Sequence, residues 1–238
     1  MNLHQKREAM KAAVLAGAMP REVADKIVQA ERPEHAEFRA GLFDDEESSN
    51  GSGVVASGEL ILYDAIDSWG GFWGVSADDV RAGLAEIGDV ESLTVRINSP
   101  GGEVTEGIAI HNLIADHPAE VTVMVDGAAY SIASLIAMAG DKVTMNRGSE
   151  MMIHEAWGFS VGDADEIAAY AERLDRASDL SAGFYAARAG GTTDEWRELM
   201  KAETWMYAAE AVERGLADEA VPLKTKPDSS DSAEPSAL

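Results

Sequence analysis

The chain has 238 residues and a formal net charge of −24, so its surface repels a phosphate backbone and anionic lipid alike, which argues against nucleic-acid and membrane partners. It contains no cysteine, which removes disulfides, thiolate metal sites and cysteine nucleophiles. The length suits one large domain or two small ones, and the apolar fraction is enough for a sizeable core.

The N-terminal stretch "MNLHQKREAMKAAVLAGAMP" has a short apolar run broken by charge, unlike a secretory signal. "HQKREAMKAAVLAGA" and "PREVADKIVQAE" read as short amphipathic helices, the second opened by Pro20. "DDEESSNGSG", residues 44–53, is acidic and polar and reads as a linker. Residues 1–50 are therefore expected to form an atypical N-terminal extension, helical or partly disordered. Residues 223–238 are expected to be a disordered tail, because "KTKPDSSDSAEPSAL" has no apolar periodicity. Residues 51–222 form the domain between them.

Within that domain strands and helices alternate. "GVVASGELILYDAI" is strand-like, and "SADDVRAGLAEIG" is a helix with Ser76 as N-cap and acids in its first turn. "SLTVRINS", "AEVTVMVDG", "DKVTMN" and "EMMIHEAW" are strands. "TEGIAIHNLIADH" and "SIASLIAMAG" are helices, the latter closed by Gly140. "DADEIAAYAERLDRASDLSAGFYAARAG" is one long helix or a pair, "TTDEWRELMKA" a capped helix, and "AAEAVERGLADEAV" a helix leading into a last strand. This alternation predicts an α/β fold with a largely parallel sheet. The longest apolar run, "IASLIAMAG", is far short of the ~20 residues that span a bilayer. The expected location is the cytoplasm.

Four stretches carry candidate chemistry. In "RINSPGGEVTEGIAI" a strand runs through Ser-Pro-Gly-Gly into a helix. The glycines serve either a tight turn or the presentation of bare N–H groups to an oxyanion. Neither a phosphate loop nor G-x-G-x-x-G is present. In "DGAAYSIASLIAMAGD" Ser131 falls at a strand-to-helix junction, where it is either an N-cap or a nucleophile beside unpaired N–H groups. The hydrolase elbow G-x-S-x-G is absent. In "MMIHEAWG" His154 ends an apolar strand, where α/β sheets display active-site groups. His4 and His35 lie in the atypical N-terminal region, and His111 and His117 are expected at the surface. No ligand spacing of the H-E-x-x-H kind occurs, so no metal and no cofactor is expected. In "KAETWMYAAEAVERGLAD" Glu203 precedes an aromatic residue and a helix, but acids are abundant and composition does not choose among them.

Taken in order, "INSPGG", "GIAIHNLI", "DGAAYSIASLIAMAGD", "MMIH", "YAARAGG" and "ETWMYAAEAVERGLAD" resemble the Clp protease proteolytic subunit family. The closer likeness is to Clp-like head maturation proteases of tailed phages and prophages. It covers roughly residues 58 to 222. The resemblance implies a Clp protease/crotonase-like superhelix of β-β-α units with a protruding handle helix, the handle falling at 163–189. It implies a serine endopeptidase with Ser131 as nucleophile and His154 as base. Glu203 stands at the place of the acid, where the family commonly has aspartate. The backbone N–H groups of Gly102 and Ile132 match the oxyanion donors. Tyr130 stands where the family often has alanine. Peptide or protein substrates are implied, acted on inside a homo-oligomeric ring, commonly heptameric and often doubled. In a phage setting the substrates would be capsid and scaffold precursors, whereas a housekeeping Clp peptidase would work with an ATPase unfoldase. An inactive ring subunit and a crotonase-type acyl-CoA enzyme are the competing readings.

Overall fold

The computed structural model describes residues 3–31, 37–44, 56–70 and 73–224. The linker read at 44–53, beyond its first residue, and all but the first two residues of the 223–238 tail lie outside them.

Two helices, α1 (Leu3–Leu15) and α2 (Arg21–Glu31), precede a sheet that begins with β1 (Glu37–Asp44). β1 pairs antiparallel with β2 (Ala56–Tyr63) along its whole length. The segment expected to be helical or partly disordered thus includes a strand of the main sheet. Its composition, "EFRAGLFD", has only weak alternation, and its pairing comes from the partner strand.

The rest follows the alternation closely. α3 (Ala77–Ile87) starts at Ser76, whose hydroxyl accepts from Asp79 N–H while the Asp79 carboxylate accepts from Ser76 N–H, a complete capping box. β3 (Ser92–Ser99) and β4 (Glu120–Tyr130) run parallel, and their buried positions alternate as a pleated strand requires. Leu93, Val95 and Ile97 meet Val121, Val123 and Val125 in the main core. α4 (Val104–Ala115) packs on α3 and on α5 (Ile132–Ala137). α5 ends at Ala137 with Met138 as C-cap, before Gly140.

β5 (Lys142–Met145) and β6 (Glu150–Ile153) both pair parallel with β4, one after the other along its length. β6 also carries an antiparallel partner, β7 (Thr204–Tyr207), which a run as short as "TWMY" does not announce. α6 (Ala164–Ala189) is one helix of 26 residues. It is exposed through its first half and buried only from Ser178 onward, so its leading half projects from the body. α7 (Thr193–Lys201) and α8 (Ala208–Glu213) flank β7, and β8 (Glu219–Ala220) closes the sheet beside β5. The result is the expected α/β class with a mostly parallel sheet.

Candidate active site

Ser131 directly follows β4, and His154 directly follows β6. Because Tyr130 is in register with Met152, the two parallel strands end side by side. The Ser131 N–H donates to the Met152 carbonyl at 2.8 Å, which ties the end of β4 to β6. Ser131 has φ 56° and ψ −127°, a conformation that costs an L-residue energy and persists only where surroundings over-determine it. That turn throws the side chain out of the strand. Its hydroxyl makes no capping bond to α5 and instead lies 2.6 Å from His154 Nε2.

Three contacts hold this elbow. Ser134, fully buried, donates from Oγ to the Ser131 carbonyl at 2.6 Å and meets the Tyr185 hydroxyl at 2.8 Å. The two serines of the small apolar helix therefore have separate tasks. Gly107 on α4 lies so close to Ile132 that any Cβ there would overlap the Ile132 side chain. Gly101, with φ 85°, backs onto the elbow: a Cβ there would sit 2.8 Å from Ser131 Cβ and 3.2 Å from Ile132 N.

The Ser-Pro-Gly-Gly turn is itself clamped. The Ser99 hydroxyl accepts the Gly101 N–H at 3.1 Å. Ile66 grips the turn from both sides, donating its N–H to the Gly101 carbonyl at 2.9 Å and accepting the Glu103 N–H at 3.0 Å. A Cβ on Gly102 would run into the Ile66 carbonyl oxygen. Among the described residues the N–H groups of Gly102 and Ile132 have no protein acceptor. The turn that carries Gly102 adjoins the start of α5, since Gly101 backs onto Ser131 and the Ile132 nitrogen.

Glu203 precedes β7. The β6–β7 ladder ends with Ile153 against Thr204, so His154 and Glu203 both adjoin its last pair. Like Ser131, Glu203 has a positive φ, 50°. Its carboxylate accepts from Trp205 Nε1 at 3.2 Å, and among the described residues no hydrogen bond joins it to His154. Burial lowers the His154 pKa below the ordinary value, and the Glu203 charge opposes that shift without cancelling it. The imidazole is therefore neutral at pH 7, able to accept a proton from the serine.

The chain is similar over residues 80–223 to the family model described as Clp protease. The chain belongs to the Clp protease family. Across 138 residues it is 35% identical to the ATP-dependent Clp protease proteolytic subunit of Chlorella vulgaris, covering 57% of this chain and 68% of that one. It is likewise 35% identical over 137 residues to the protein of that name from Pleurastrum terricola, covering 57% and 70%. Membership makes this Clp protease relative a serine-type peptidase by class, with protein as its substrate class.

Several features of this Clp-family site are invisible in the sequence. The Tyr130 side chain has partners on β6 and β7. Its hydroxyl donates to Glu150 at 2.9 Å and its ring meets Trp205 edge to face at 5.1 Å. Burial first, and then Glu150, push its pKa up to about 12, so it stays a neutral phenol. Ile66 has no polar side chain to announce its role. Asn98, which accepts the Ala128 N–H at 3.1 Å where the β3–β4 register shifts, could have been suspected from its place in "INSPGG". His111 is half-buried against Phe184, ring centroids 4.7 Å apart, and not the surface residue expected. Among the described residues no cluster could hold a metal ion, and no helix is long and apolar enough to cross a membrane.

Proposed function

We propose that this protein is a serine endopeptidase that uses Ser131 as nucleophile and His154 as general base. The observation that carries the reading is the 2.6 Å Ser131 Oγ to His154 Nε2 contact, made by a serine that forgoes its capping bond in a strained turn. His154 takes the Ser131 proton as Oγ attacks the peptide carbonyl carbon. The carbonyl oxygen becomes an anion held by the Gly102 and Ile132 N–H groups. His154 then gives the proton to the leaving nitrogen, the C–N bond breaks, and an acyl-enzyme remains. Water, deprotonated by His154, hydrolyses that ester and restores the serine. Glu203 supports the imidazolium by its charge.

The test is intact mass after reaction with a fluorophosphonate probe, together with hydrolysis of an unstructured protein. One adduct per chain is expected for the native protein, and none for Ser131→Ala, with cleavage falling by on the order of 10⁴ or more. Retained cleavage in Ser131→Ala sinks the assignment. An unreactive native protein supports the inactive-subunit reading instead.

The same proposal places the site inside a homo-oligomeric ring, heptameric and single or double, with the projecting half of α6 pairing rings. Two settings follow. The sequence resemblance to head maturation proteases makes capsid and scaffold precursors the substrates. The two relatives, both named as ATP-dependent proteolytic subunits, favour work alongside an ATPase unfoldase. Degradation of a stably folded, tagged protein only when ATP and an unfoldase are added selects the second. Site-specific cleavage of a capsid precursor without ATP selects the first.

A further inference from the structure

Helices α1 and α2 pack over the loop that follows β2. Trp73, 1% exposed, and Ala24 form a small core there with Met10, Val14 and Trp69 around it. The indole N–H of Trp73 donates to Asp25 of α2. The centre of this contact is charged. Lys11 of α1, 5% exposed, reaches into the body and makes ion pairs with Asp67, 3% exposed, and with Glu103 at 2.8 Å. Asp67 also accepts from Trp69 N–H at 2.8 Å, and Glu103 from Ser68 N–H at 3.3 Å.

The positions of those two carboxylates matter. Asp67 is the residue after Ile66, which clamps the Gly-Gly turn. Glu103 is the residue after Gly102, whose N–H is the proposed oxyanion donor. One ammonium group therefore spans the two sides of the clamp. Without it, two partly buried carboxylates would face each other across the Ile66–Gly102 bridge, and like charges in such a place repel strongly. Burial already pushes Asp67 up to about 6 against the pull of Lys11, and the Glu103 charge adds to the rise. Lys11 is held above its ordinary value by the two carboxylates, although burial opposes this.

We propose that Lys11 is a positioning residue for catalysis: by bridging Asp67 and Glu103, the N-terminal helix holds the Gly101–Gly102 turn where its N–H group can meet the oxyanion. This rests on the serine peptidase reading. It gives the N-terminal segment a task in the chemistry of its own subunit. Detaching that helix opens the clamp and lowers turnover without touching Ser131 or His154.

The experiment compares full-length wild type, Lys11→Arg, Lys11→Met and Glu103→Gln. It measures kcat per probe-titrated site, KM, and amide hydrogen exchange of the segment 97–104. Lys11→Met should lower kcat by roughly 10- to 100-fold, as a displacement of about 1 Å does, with KM within about twofold and faster exchange in the turn. Lys11→Arg should keep the bridge and restore most of kcat, a rescue that simple destabilisation would not reproduce. Glu103→Gln keeps the Lys11–Asp67 pair, so it should assemble even if Lys11→Met does not, with kcat lowered by several-fold. Unchanged kcat per site and unchanged exchange, in Lys11→Met or, if that variant does not assemble, in Glu103→Gln, overturn the proposal. A wild type that neither labels nor cleaves overturns the peptidase reading instead, and exchange in the turn then still reports whether Lys11 holds the clamp.

Discussion

Two residues of the site share an uncommon positive φ and differ in their surroundings. Ser131 and Glu203 both have positive φ, 56° and 50°. Ser131 is enclosed: β6 holds its N–H, Ser134 its carbonyl, and Gly101 and Gly107 leave no spare room behind it. Glu203 is exposed, anchored by its own N–H to the Met200 carbonyl at 3.0 Å and by its carboxylate to Trp205. The first turn is fixed by packing, which resists change steeply. The second is fixed by a few exposed hydrogen bonds, each worth on the order of 1 kcal/mol. Changes behind Ser131 should therefore cost far more than changes around Glu203.

Gly107→Ala is the sharpest way to break the enclosed side. The added methyl must displace Ile132, whose N–H is a proposed oxyanion donor, and overpacking of this kind costs about 1–3 kcal/mol of stability. We expect at least a tenfold fall in kcat, because the donor moves with the side chain. Steady-state kinetics on titrated sites, beside a melting curve, checks it. A variant that is less stable yet turns over normally would show that the elbow tolerates more movement than its packing implies.

What the sequence disclosed divides along the same line. The SPGG turn, Ser131 and His154 lie at junctions where strand periodicity stops, and those junctions are local features. Ser76 as the cap of α3 was legible for the same reason: its partner is three residues away. β1 and β7 were not legible, since each owes its state to a partner strand distant in sequence. The relation of Glu203 to His154 depends on the β6–β7 register, which no local pattern encodes. The bridge from Lys11 to Asp67 and Glu103 is longer still, and a lysine in an amphipathic helix gives no sign of being buried.

Glu203→Gln tests the exposed side. Where an acid holds the histidine directly, its loss costs about 10⁴ in rate. Here the Glu203 carboxylate bonds Trp205 and not His154, so a much smaller loss, roughly tenfold, is expected. The pH profile gives the sign. Activity needs neutral His154, so it is present above the His154 pKa and lost as pH falls through it. Burial already sets that pKa below the ordinary 6.5, and Glu203 pulls it upward. Removing the charge should move the acidic limb of kcat/KM to lower pH. A 10⁴-fold loss would mean that the acid closes onto His154 during turnover.

Trp205→Phe should give the smallest effect and the opposite sign. Phenylalanine keeps an aromatic edge against Tyr130 but lacks the Nε1–H that Glu203 accepts. An exposed bond of this type contributes about 0.5–1.5 kcal/mol, so the rate should change by no more than about tenfold. Released from the indole, the carboxylate is free to swing toward His154, which follows the last pair of the β6–β7 ladder, Ile153 with Thr204. Its charge would then raise the His154 pKa further, and the acidic limb should move to higher pH. The two variants thus bracket the native enzyme from either side. If Trp205→Phe moves the limb downward, the indole is the group that keeps Glu203 near the histidine, and the looseness of this turn is itself what the tryptophan corrects.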